Sequence, residues 1–507
     1  MDRRKFLKVA IAAPVGASFI GVGRRSDKPN LLFLWADQQR PDTMRVYGNT
    51  KIHAPNLDKL ANECTVFQNA YDSQPLCTPA RSTVMTGLWP HTNGCTTNGI
   101  PLPKTTPVFP ELLGDSSYRT GYFGKWHLGD ELFSQHGFEE WESIEDIYDQ
   151  LFRNNRDRDR RSTYDHFLRA HGYKPDLRDN RFSREFAAHL PIEFGKPRFL
   201  EQKATDFLRR HRSEPFILYV NFLEPHPPYY GPLNDEHKVE DMELPPNYAT
   251  PLGNDEPLAY RIKSIRDRQI KLDGMDLSTD SGWRRLMANY WGNITHIDRA
   301  IGGILKTLED LGLAENTIVV HTADHGDMLG SHGMGMKAVM YEQAVKVPWL
   351  MRVPRLGTRQ KIVRGRFSQI DLVPTLLDIM GKPMPDRFPG RSLLPAIRKG
   401  SHQEHVFIEW NPNRPGGKKE ITPPGFQADA VRKAMQAHTR TVIAPEGWKL
   451  CLSDADKHQL FNLKRDPWEN QNLFYAGQHD DVIRRLTQEI HKWQRGVNDP
   501  VVVDPGK

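Results

Sequence analysis

The chain has 507 residues, of which 38% are hydrophobic and 26% are charged, and its formal net charge at pH 7 is +6. Gly and Pro contribute 38 residues each. Together they make up a share of the chain well below the quarter or so that marks low-complexity chains. These values exclude a disordered, collagen-like or coiled-coil protein. The small charge permits an anionic substrate, but we expect no nucleic-acid partner, which would require basic residues concentrated on one face.

The N-terminal residues have the pattern of an export signal. Arg3 and Arg4 precede an apolar stretch over residues 9–23, which is shorter than the ~20 residues that span a bilayer. The arginine pair resembles a twin-arginine signal, and we assign residues 1–26 to it, with an uncleaved anchor as the alternative. The expected location is periplasmic or secreted. The twin-arginine export machinery is then a partner, and no stable membrane insertion of the mature protein is expected.

Three continuous apolar runs predict buried strands over residues 30–36, 216–220 and 317–320. Runs of this kind are typical of parallel strands that are covered on both faces. Apolar residues at helical spacing over 297–308 predict a covering helix. Strands that alternate with helices predict an α/β fold with a large, mostly parallel central sheet flanked by helices.

The α/β pattern ends near residue 395. We therefore expect a large α/β domain over 27–395 and a smaller C-terminal α+β domain over 396–507. Strand-like pieces at 406–410, 440–443 and 448–452 predict a short antiparallel sheet in the second domain, followed by a final amphipathic helix.

Each predicted strand of the α/β pattern is followed by polar residues. The first is followed by Asp37 and Gln38, the second by a segment that contains His226, and the third by Asp324 and His325. Ligands of open α/β sheets bind beyond the carboxyl ends of the strands. Three side chains with oxygen donors suit a divalent cation such as Ca²⁺, so we predict a metal site here. For the last pair, a capped turn after a strand is the alternative.

A cysteine stands where a helix is predicted to begin. Thr78 is suited to cap a helix over 79–86, which Gly87 would end, so that Cys77 lies just before the helix. The free N–H groups and the dipole of a helix start favour an anion and acidify a thiol. Arg81 could direct its guanidinium group to the same anion. A buried structural cysteine is the alternative.

Lys125 and His127 are two residues apart and therefore share a face if the segment is extended. A cation beside a titratable imidazole can hold an anion and transfer protons. His226 lies in a loop that its neighbouring prolines stiffen.

The segment Cys77–Arg81 matches, at every fixed position, the Cys-X-Pro-X-Arg signature of the type I, formylglycine-dependent sulfatases of the alkaline-phosphatase-like superfamily. Further segments resemble this family in the family's order, and the resemblance covers residues 28–395. These segments are Ala36–Asp37, Gly121–Gly129, Pro225–Pro227, Ala323–Gly326, Lys337 before Tyr341–Glu342 and, more weakly, Asp466–Asn470.

The resemblance implies that a separate maturation enzyme oxidises Cys77 to formylglycine, an aldehyde. In the hydrated aldehyde, one hydroxyl group attacks sulfur and expels the alcohol. The other hydroxyl group then loses its proton, and the aldehyde forms again as sulfate leaves. A plain thiolate nucleophile at Cys77, with a histidine as base, is the alternative.

The resemblance also assigns metal ligands. Asp37, Gln38, Asp324 and His325 would hold one divalent cation, which is shared with the group derived from Cys77. Gln38 and His325 depart from the commonest family pattern, which has Asp and Asn there, and they are similar to the choline-sulfatase and phosphonate-monoester-hydrolase branches. We expect Ca²⁺, with Mn²⁺ as an option because the imidazole is a softer ligand.

The remaining roles also come from the resemblance. Lys125 binds the aldehyde hydrate and the sulfate, and His127 takes the proton that collapses the intermediate. His226 and Lys337 contact the sulfate, and we favour His226 as the donor to the leaving alcohol because of its pKa. The alternatives are a packed His226 and a surface Lys337.

Two further regions are ambiguous. Residues 153–186 are rich in Arg and Asp, which predicts a solvated, salt-bridged surface insertion, with a rim for a polyanionic substrate as the alternative. His332 lines the substrate pocket or packs in a turn. The other cysteines are expected to be structural.

These patterns predict an enzyme that hydrolyses an organic sulfate ester to alcohol and sulfate. The export signal favours a sulfated carbohydrate as substrate. One alternative is a phosphonate monoester or phosphodiester hydrolase with the same formylglycine. The other is a sulfoglycan-binding pseudoenzyme without activity.

Overall fold

A computed structural model describes residues 28–386, 388–412 and 422–506. The export signal predicted for residues 1–26 lies outside the described residues. In the part of the chain that is described, no helix combines the length and the apolar character that crossing a membrane requires.

The strands alternate with helices through most of the chain. In chain order the strands are β1 (Asn30–Asp37), β2 (Thr65–Phe67), β3 (Ala70–Tyr71), β4 (Arg119–Gly124), β5 (Glu140–Glu142), β6 (Phe216–Pro225), β7 (Lys271–Leu272), β8 (Met275–Asp276), β9 (Thr317–Ala323), β10 (Lys346–Val347), β11 (Trp349–Arg352), β12 (Lys361–Val363), β13 (Phe367–Ser368), β14 (Val406–Trp410), β15 (Thr439–Ile443), β16 (Trp448–Ser453) and β17 (Gln459–Asn462).

The α-helices vary from single turns to one helix of 31 residues. They are α1 (Pro55–Asn62), α2 (Cys77–Thr86), α3 (Pro90–Asn93), α4 (Phe109–Leu113), α5 (Thr163–Ala170), α6 (Arg184–Ala188), α7 (Lys196–Arg210), α8 (Leu258–Asp267), α9 (Asp280–Asp310), α10 (Glu342–Val345), α11 (Leu372–Ile379), α12 (Leu394–Lys399), α13 (Ala428–Met435) and α14 (Asp480–Val497).

The central sheet has eight strands in the order β12-β2-β11-β9-β1-β6-β4-β5. The central strands β9, β1, β6 and β4 are parallel to one another, while β11 runs antiparallel to β9 and β2. The predicted large, mostly parallel sheet is therefore confirmed. The three apolar runs are its strands β1, β6 and β9, which places their carboxyl ends side by side.

Alternate residues of β1 point to opposite faces of this sheet, as a pleated strand requires. Leu32 and Leu34 pack into the core on the side of α1, α7 and α9. Leu31, Phe33 and Trp35 pack on the other side, with α2 and α11. Both faces are covered, which explains why the strand is apolar throughout its length.

A second, four-stranded antiparallel sheet follows in the order β14-β15-β16-β17. Helix α14 covers it, with Leu486 and Ile490 packed against Leu450 and Leu452. The predicted C-terminal sheet and final helix are confirmed, whereas the domain boundary at residues 395 and 396 stays a prediction.

The helix at the signature cysteine differs from its prediction at one end. Cys77 is the first residue of α2 rather than the residue before it, and Leu76 occupies the cap position. Thr78 does not cap the helix, because its hydroxyl group donates a hydrogen bond to the His127 carbonyl at 2.9 Å. Gly87 ends the helix in the left-handed conformation, as predicted.

Candidate active site

Four buried charged side chains form one ionic network at the carboxyl ends of the central strands; we call it the site floor (Asp37, Arg81, Lys125 and Asp324). Arg81 donates hydrogen bonds from Nε to Asp324 and from Nη2 to Asp37, both at 3.0 Å. The Nζ of Lys125 donates to Asp37 at 2.6 Å. The planar guanidinium group thus bridges two carboxylates that neighbouring strands supply.

Gly124 allows Lys125 to reach the floor. It is the last residue of β4, its φ is 110°, and a Cβ atom there would lie 1.9 Å from the carbonyl oxygen of Asn221 in β6. The Lys125 amide donates to that same carbonyl at 3.2 Å. A residue with a side chain at position 124 would therefore force the two strands apart.

Two charges of the floor, those of Asp37 and Lys125, stabilise each other. Burial raises the pKa of Asp37, but Lys125 and Arg81 outweigh it and hold that pKa well below its usual value. Burial lowers the pKa of Lys125, but Asp37 outweighs it and raises that pKa. Both groups are therefore charged at neutral pH, although they are fully buried.

The arrangement of donor atoms around Cys77 fits a divalent cation. The Cys77 sulfur lies 3.3 Å from Nε2 of His325. The other ring nitrogen of His325 is 3.0 Å from the Gly326 carbonyl, which fixes the proton there and leaves a lone pair on Nε2. One ligand atom each from Asp37, Cys77, Asp324 and His325 can be chosen so that all lie within 4.8 Å of one another.

The Oδ1 atom of Asp37 supports the same conclusion. It is buried, and no hydrogen-bond partner for it occurs among the described residues. An unpaired carboxylate oxygen beside an imidazole lone pair is a costly arrangement without a cation. The donor set therefore fits the predicted metal site.

Gln38 is oriented by its neighbours. Its φ is 67°, in the left-handed region, which is strained for a residue with a side chain. The side-chain nitrogen donates to Tyr229 at 2.9 Å and to Asp327, and the side-chain oxygen accepts a hydrogen bond from Lys337. The side-chain oxygen of Gln38 can therefore bind either a cation or Lys337.

Cys77 differs chemically from the other cysteines. Burial raises its pKa, but the charges of Lys125 and Lys337 oppose burial, and the pKa lies well below the usual value. In contrast, burial raises the pKa values of Cys95 and Cys451 to about 12.

The described cysteines are all free thiols. Only Cys77, among those that the structure describes, lies in a group of potential metal ligands. The expectation that the other cysteines are structural agrees with these surroundings.

His127 also faces the cysteine. Its side chain lies close enough to Cys77 for the two groups to affect each other's pKa, and its ring stacks on Tyr148 with 4.4 Å between centroids. Burial lowers the pKa of His127 to about 4, so the imidazole is neutral at neutral pH and can accept a proton. Its backbone has a φ of 60° and donates to the Glu131 carboxylate at 2.6 Å.

His226 directly follows the last residue of β6 and lies near Lys337 and Lys125. Its Nδ1 is 2.8 Å from the Pro227 carbonyl, so the tautomer leaves Nε2 without a proton. Burial, together with the charges of Lys337 and Lys125, lowers the pKa of His226 to about 3. The imidazole is therefore neutral at neutral pH, which weakens its assignment as the donor to the leaving alcohol.

The predicted site residues gather around Cys77, but several supporting residues were not predicted. They lack a motif of their own, and only their contacts reveal them. They are Glu131, which binds the amide groups of Trp126 and His127; Tyr229 and Asp327, which orient Gln38; and Tyr148, which stacks on His127. Tyr290 donates to the Gln38 carbonyl, consistent with a supporting role.

The Arg- and Asp-rich insertion agrees only partly with its prediction. Arg160 and Asp157 are exposed, as a solvated surface requires. Arg153 and Arg156, however, both pair with the buried Asp130, just after the Lys125 segment. The insertion thus has an inner side that packs against the site.

His332 packs inside the fold and does not line the site. It is buried, and its ring stacks on Tyr341 with 4.3 Å between centroids. This geometry favours the packing interpretation.

A second group of potential metal ligands is already paired. His91 lies 2.6 Å from Glu409, and Arg440 binds Asp499 at 2.6 Å. These contacts join α3 to the C-terminal sheet, so the group acts as a structural joint.

Comparisons with known proteins agree with the geometry. A model of the sulfatase family matches residues 29–382. The N-acetylglucosamine-6-O-sulfatase of Bacteroides thetaiotaomicron is 25% identical over 527 residues, covering 93% of this chain and 87% of the relative. The choline-sulfatase of Rhizobium meliloti is 29% identical over 458 residues, covering 88% of this chain and 82% of the relative.

A solved structure shares the fold. The phosphonate monoester hydrolase SpPMH from Silicibacter pomeroyi superposes with a TM-score of 0.76 at 22% identity, covering 92% of this chain and 95% of that chain. The family match spans more than half of the 507 residues. The chain therefore belongs to the sulfatase family, and it is a sulfuric ester hydrolase.

Proposed function

We propose that the protein hydrolyses a sulfate ester of a carbohydrate to an alcohol and inorganic sulfate. The observation that carries this proposal is the cluster of Lys125, Lys337, His127 and His226 around Cys77, in which Lys125 binds Asp37 and Lys337 binds Gln38. Two cations can hold a sulfate group there, and two imidazoles can move protons. A relative named for a sulfated amino sugar supports the carbohydrate class.

Cys77 is the proposed nucleophilic position. Its sulfur stands where the hydroxyl groups of a formylglycine hydrate would be after oxidation. The low pKa of the thiol reflects surroundings that favour a negative charge at this position, and the same surroundings would favour ionisation of a hydroxyl group.

We propose that Asp37, Gln38, Asp324 and His325 hold one divalent cation together with the group derived from Cys77. When bound, the cation would polarise the sulfate and lower the pKa of the nucleophile. Oxygen-rich donors favour Ca²⁺, and the imidazole of His325 keeps Mn²⁺ as an option.

The histidines have separate proposed roles. His127 is neutral at neutral pH and accepts a proton from the position of Cys77. His226 contacts the ester and can protonate the leaving alcohol once the anionic substrate raises its low pKa, with Lys337 as the alternative donor.

The test is sulfate release from a panel of defined sulfated saccharides, with protein made alongside a maturation enzyme. We expect turnover of at least one saccharide and a loss of at least ~10³-fold in Cys77→Ala. Cys95→Ala is the matched control and should stay active, since Cys95 packs in an apolar core and lies outside the group of potential metal ligands. Equal activity of Cys77→Ala and the parent protein would contradict the proposal.

A phosphonate monoester or phosphodiester hydrolase is the second candidate. The Gln38 and His325 pair favours it, because this pair departs from the commonest sulfatase pattern. Rates on an aryl sulfate and an aryl phosphodiester discriminate the two, and a higher kcat/KM on the diester would favour the second candidate.

The maturation of Cys77 has its own test. The mass of the peptide that contains Cys77 should correspond to formylglycine in protein made with the maturation enzyme. An intact thiol in fully active protein would instead support a thiolate nucleophile.

We further propose export through the twin-arginine pathway, on the basis of Arg3 and Arg4. Cell fractionation of the parent chain and of an Arg3→Lys, Arg4→Lys variant tests this. The variant should be retained in the cytoplasm.

A further inference from the structure

The His127 ring lacks a support that catalytic histidines usually have. In most such sites, a carboxylate or carbonyl accepts a hydrogen bond from the second ring nitrogen and fixes the ring. Here Nδ1 of His127 is buried and finds no hydrogen-bond partner within the part of the chain that is described. Something other than a hydrogen bond at Nδ1 must therefore hold the ring towards Cys77.

The contact that replaces this bond is a stacked aromatic ring. The phenol ring of Tyr148 lies over the imidazole with 4.4 Å between centroids and an angle of 28° between the planes. Such a stack restricts rotation of the imidazole about its side-chain bonds. It comes from the insertion after β5, outside the signature motifs.

Tyr148 is itself held by buried charges; we call this group the insertion wall (Glu145, Tyr148, Arg184 and Lys196). Arg184 donates to the Tyr148 hydroxyl group at 2.9 Å and to Glu145 at 2.7 Å. Lys196, at the start of α7, binds Glu145 at 3.2 Å. Glu145 and Lys196 are buried, so these pairs are shielded from solvent and define the position of the phenol ring.

We propose that Tyr148 is a positioning residue for the reaction, which keeps the His127 imidazole directed at the Cys77 side chain. The inference rests on the proposed function for its kinetic effect, but the geometry of the ring is independent of the substrate. Tyr148 acts through His127 and does not transfer protons itself.

The kinetic test uses 4-nitrophenyl sulfate and a pair of substitutions at one position. Tyr148→Leu removes the stack and should lower kcat by about 10- to 100-fold with KM changed by less than about threefold, because a misdirected base slows chemistry more than binding. Tyr148→Phe keeps the ring and should stay within about threefold of the parent kcat. A kcat of Tyr148→Leu equal to that of the parent would overturn the inference.

A double-mutant cycle separates positioning from a general structural effect. In the His127→Ala background, Tyr148→Leu should change the rate by less than about twofold, since the ring that it positions is gone. Additive losses would show that Tyr148 acts elsewhere. Tyr173→Leu is the matched control in the same insertion, because Tyr173 packs on Phe186 and Phe194 and should leave kcat unchanged.

A crystal structure of Tyr148→Leu gives a readout that needs no turnover. The imidazole of His127 should leave its direction towards Cys77 or show several orientations. An unchanged, single orientation would overturn the inference. If the parent protein releases sulfate from no ester, the proposed function fails, and this structure still decides the role of Tyr148.

Discussion

The site floor and the insertion wall are both buried ionic networks, yet they originate differently in the chain. The floor joins carboxylates at the ends of two neighbouring strands through a side chain of α2 and one at the end of β4. The wall joins residues of an insertion with short helices to the start of α7. Sheet geometry therefore determines the floor, whereas the wall depends on pairings that only the folded insertion defines.

The two networks also differ in how much solvent reaches them. The side chains of Arg81 and Asp37 are 0% exposed, while that of Arg184 is 18% exposed. Loss of a charge should therefore cost more in the floor than in the wall, because screening by water is weaker there.

The largest effect is expected from breaking the floor. Arg81→Met leaves Asp37 and Asp324 without their shared partner, so we expect the free energy of unfolding to fall by about 3–5 kcal/mol and kcat/KM by at least ~10²-fold. Urea unfolding of chelator-treated protein and steady-state kinetics measure the two quantities. Arg81→Lys should recover little, since one ammonium group cannot bridge two carboxylates as the planar fork does. If Arg81→Met lowers the free energy of unfolding by less than about 1 kcal/mol, losing a charge costs no more in the floor than in the wall, and the comparison fails.

Metal removal is the next largest test of the floor. A chelator should abolish turnover, and Ca²⁺ at about 100 times its Kd should stabilise the folded protein by about 2.7 kcal/mol. Thermal unfolding with and without Ca²⁺ or Mn²⁺ measures this, and the Ca²⁺-dependent shift should vanish in Asp37→Asn. His91→Asn is the matched control, since the His91 group is already paired and should not contribute to the shift.

A smaller effect is expected in the wall. Arg184→Met leaves Glu145 with Lys196 as its remaining partner, so the free energy of unfolding should fall by only about 1–2 kcal/mol. Arg209→Met removes an exposed pair with Asp206 and should change stability by less than about 0.5 kcal/mol. Urea unfolding compares the two, and equal losses would mean that the wall is no more than a surface ion pair.

The last effect, which is small for each group involved, concerns acid and two buried histidines near the networks. Burial lowers the pKa values of His321, on β9, and His296, which contacts Gly195 beside Lys196, to about 4. Unfolding exposes these groups, whose pKa then returns to about 6.5, so the unfolded state binds more protons between these values. The contribution of these histidines to the free energy of unfolding should be complete above pH 6.5. It should fall by about 1 kcal/mol per histidine between pH 6.5 and 5.5.

Urea unfolding of the metal-loaded protein at several pH values measures this slope. His296→Gln should make the slope shallower, because one titrating group is removed. A slope that does not change in this variant would assign the acid sensitivity to other groups.

Much of the floor could be predicted from the sequence, and the reason is geometric. Parallel strands that end together bring Asp37 and Asp324 side by side, and a signature near a helix start brings Arg81 to them. The left-handed backbone at Gln38 and His127 could not be predicted, since no residue type there requires it. The cap at Thr78 was wrong because a distant carbonyl competes for its hydroxyl group.

The wall could not be predicted for a different reason. A stretch rich in Arg and Asp looks the same whether its charges face solvent or pair inside the fold. Arg160 is exposed and Arg184 is largely buried, yet both lie in charged surroundings in the sequence. Which arginine packs against the site depends on Glu145 and Lys196, whose partners are tens of residues away.

Gly124 has a consequence for how variants of this enzyme are ranked. The position carries no reactive atom, and its contribution is the space that a side chain would fill, 1.9 Å from a backbone oxygen. A methyl group there would move the lysine of the next position without touching any charge. Among natural variants, a substitution at Gly124 should therefore be expected to impair activity as severely as the loss of Cys77.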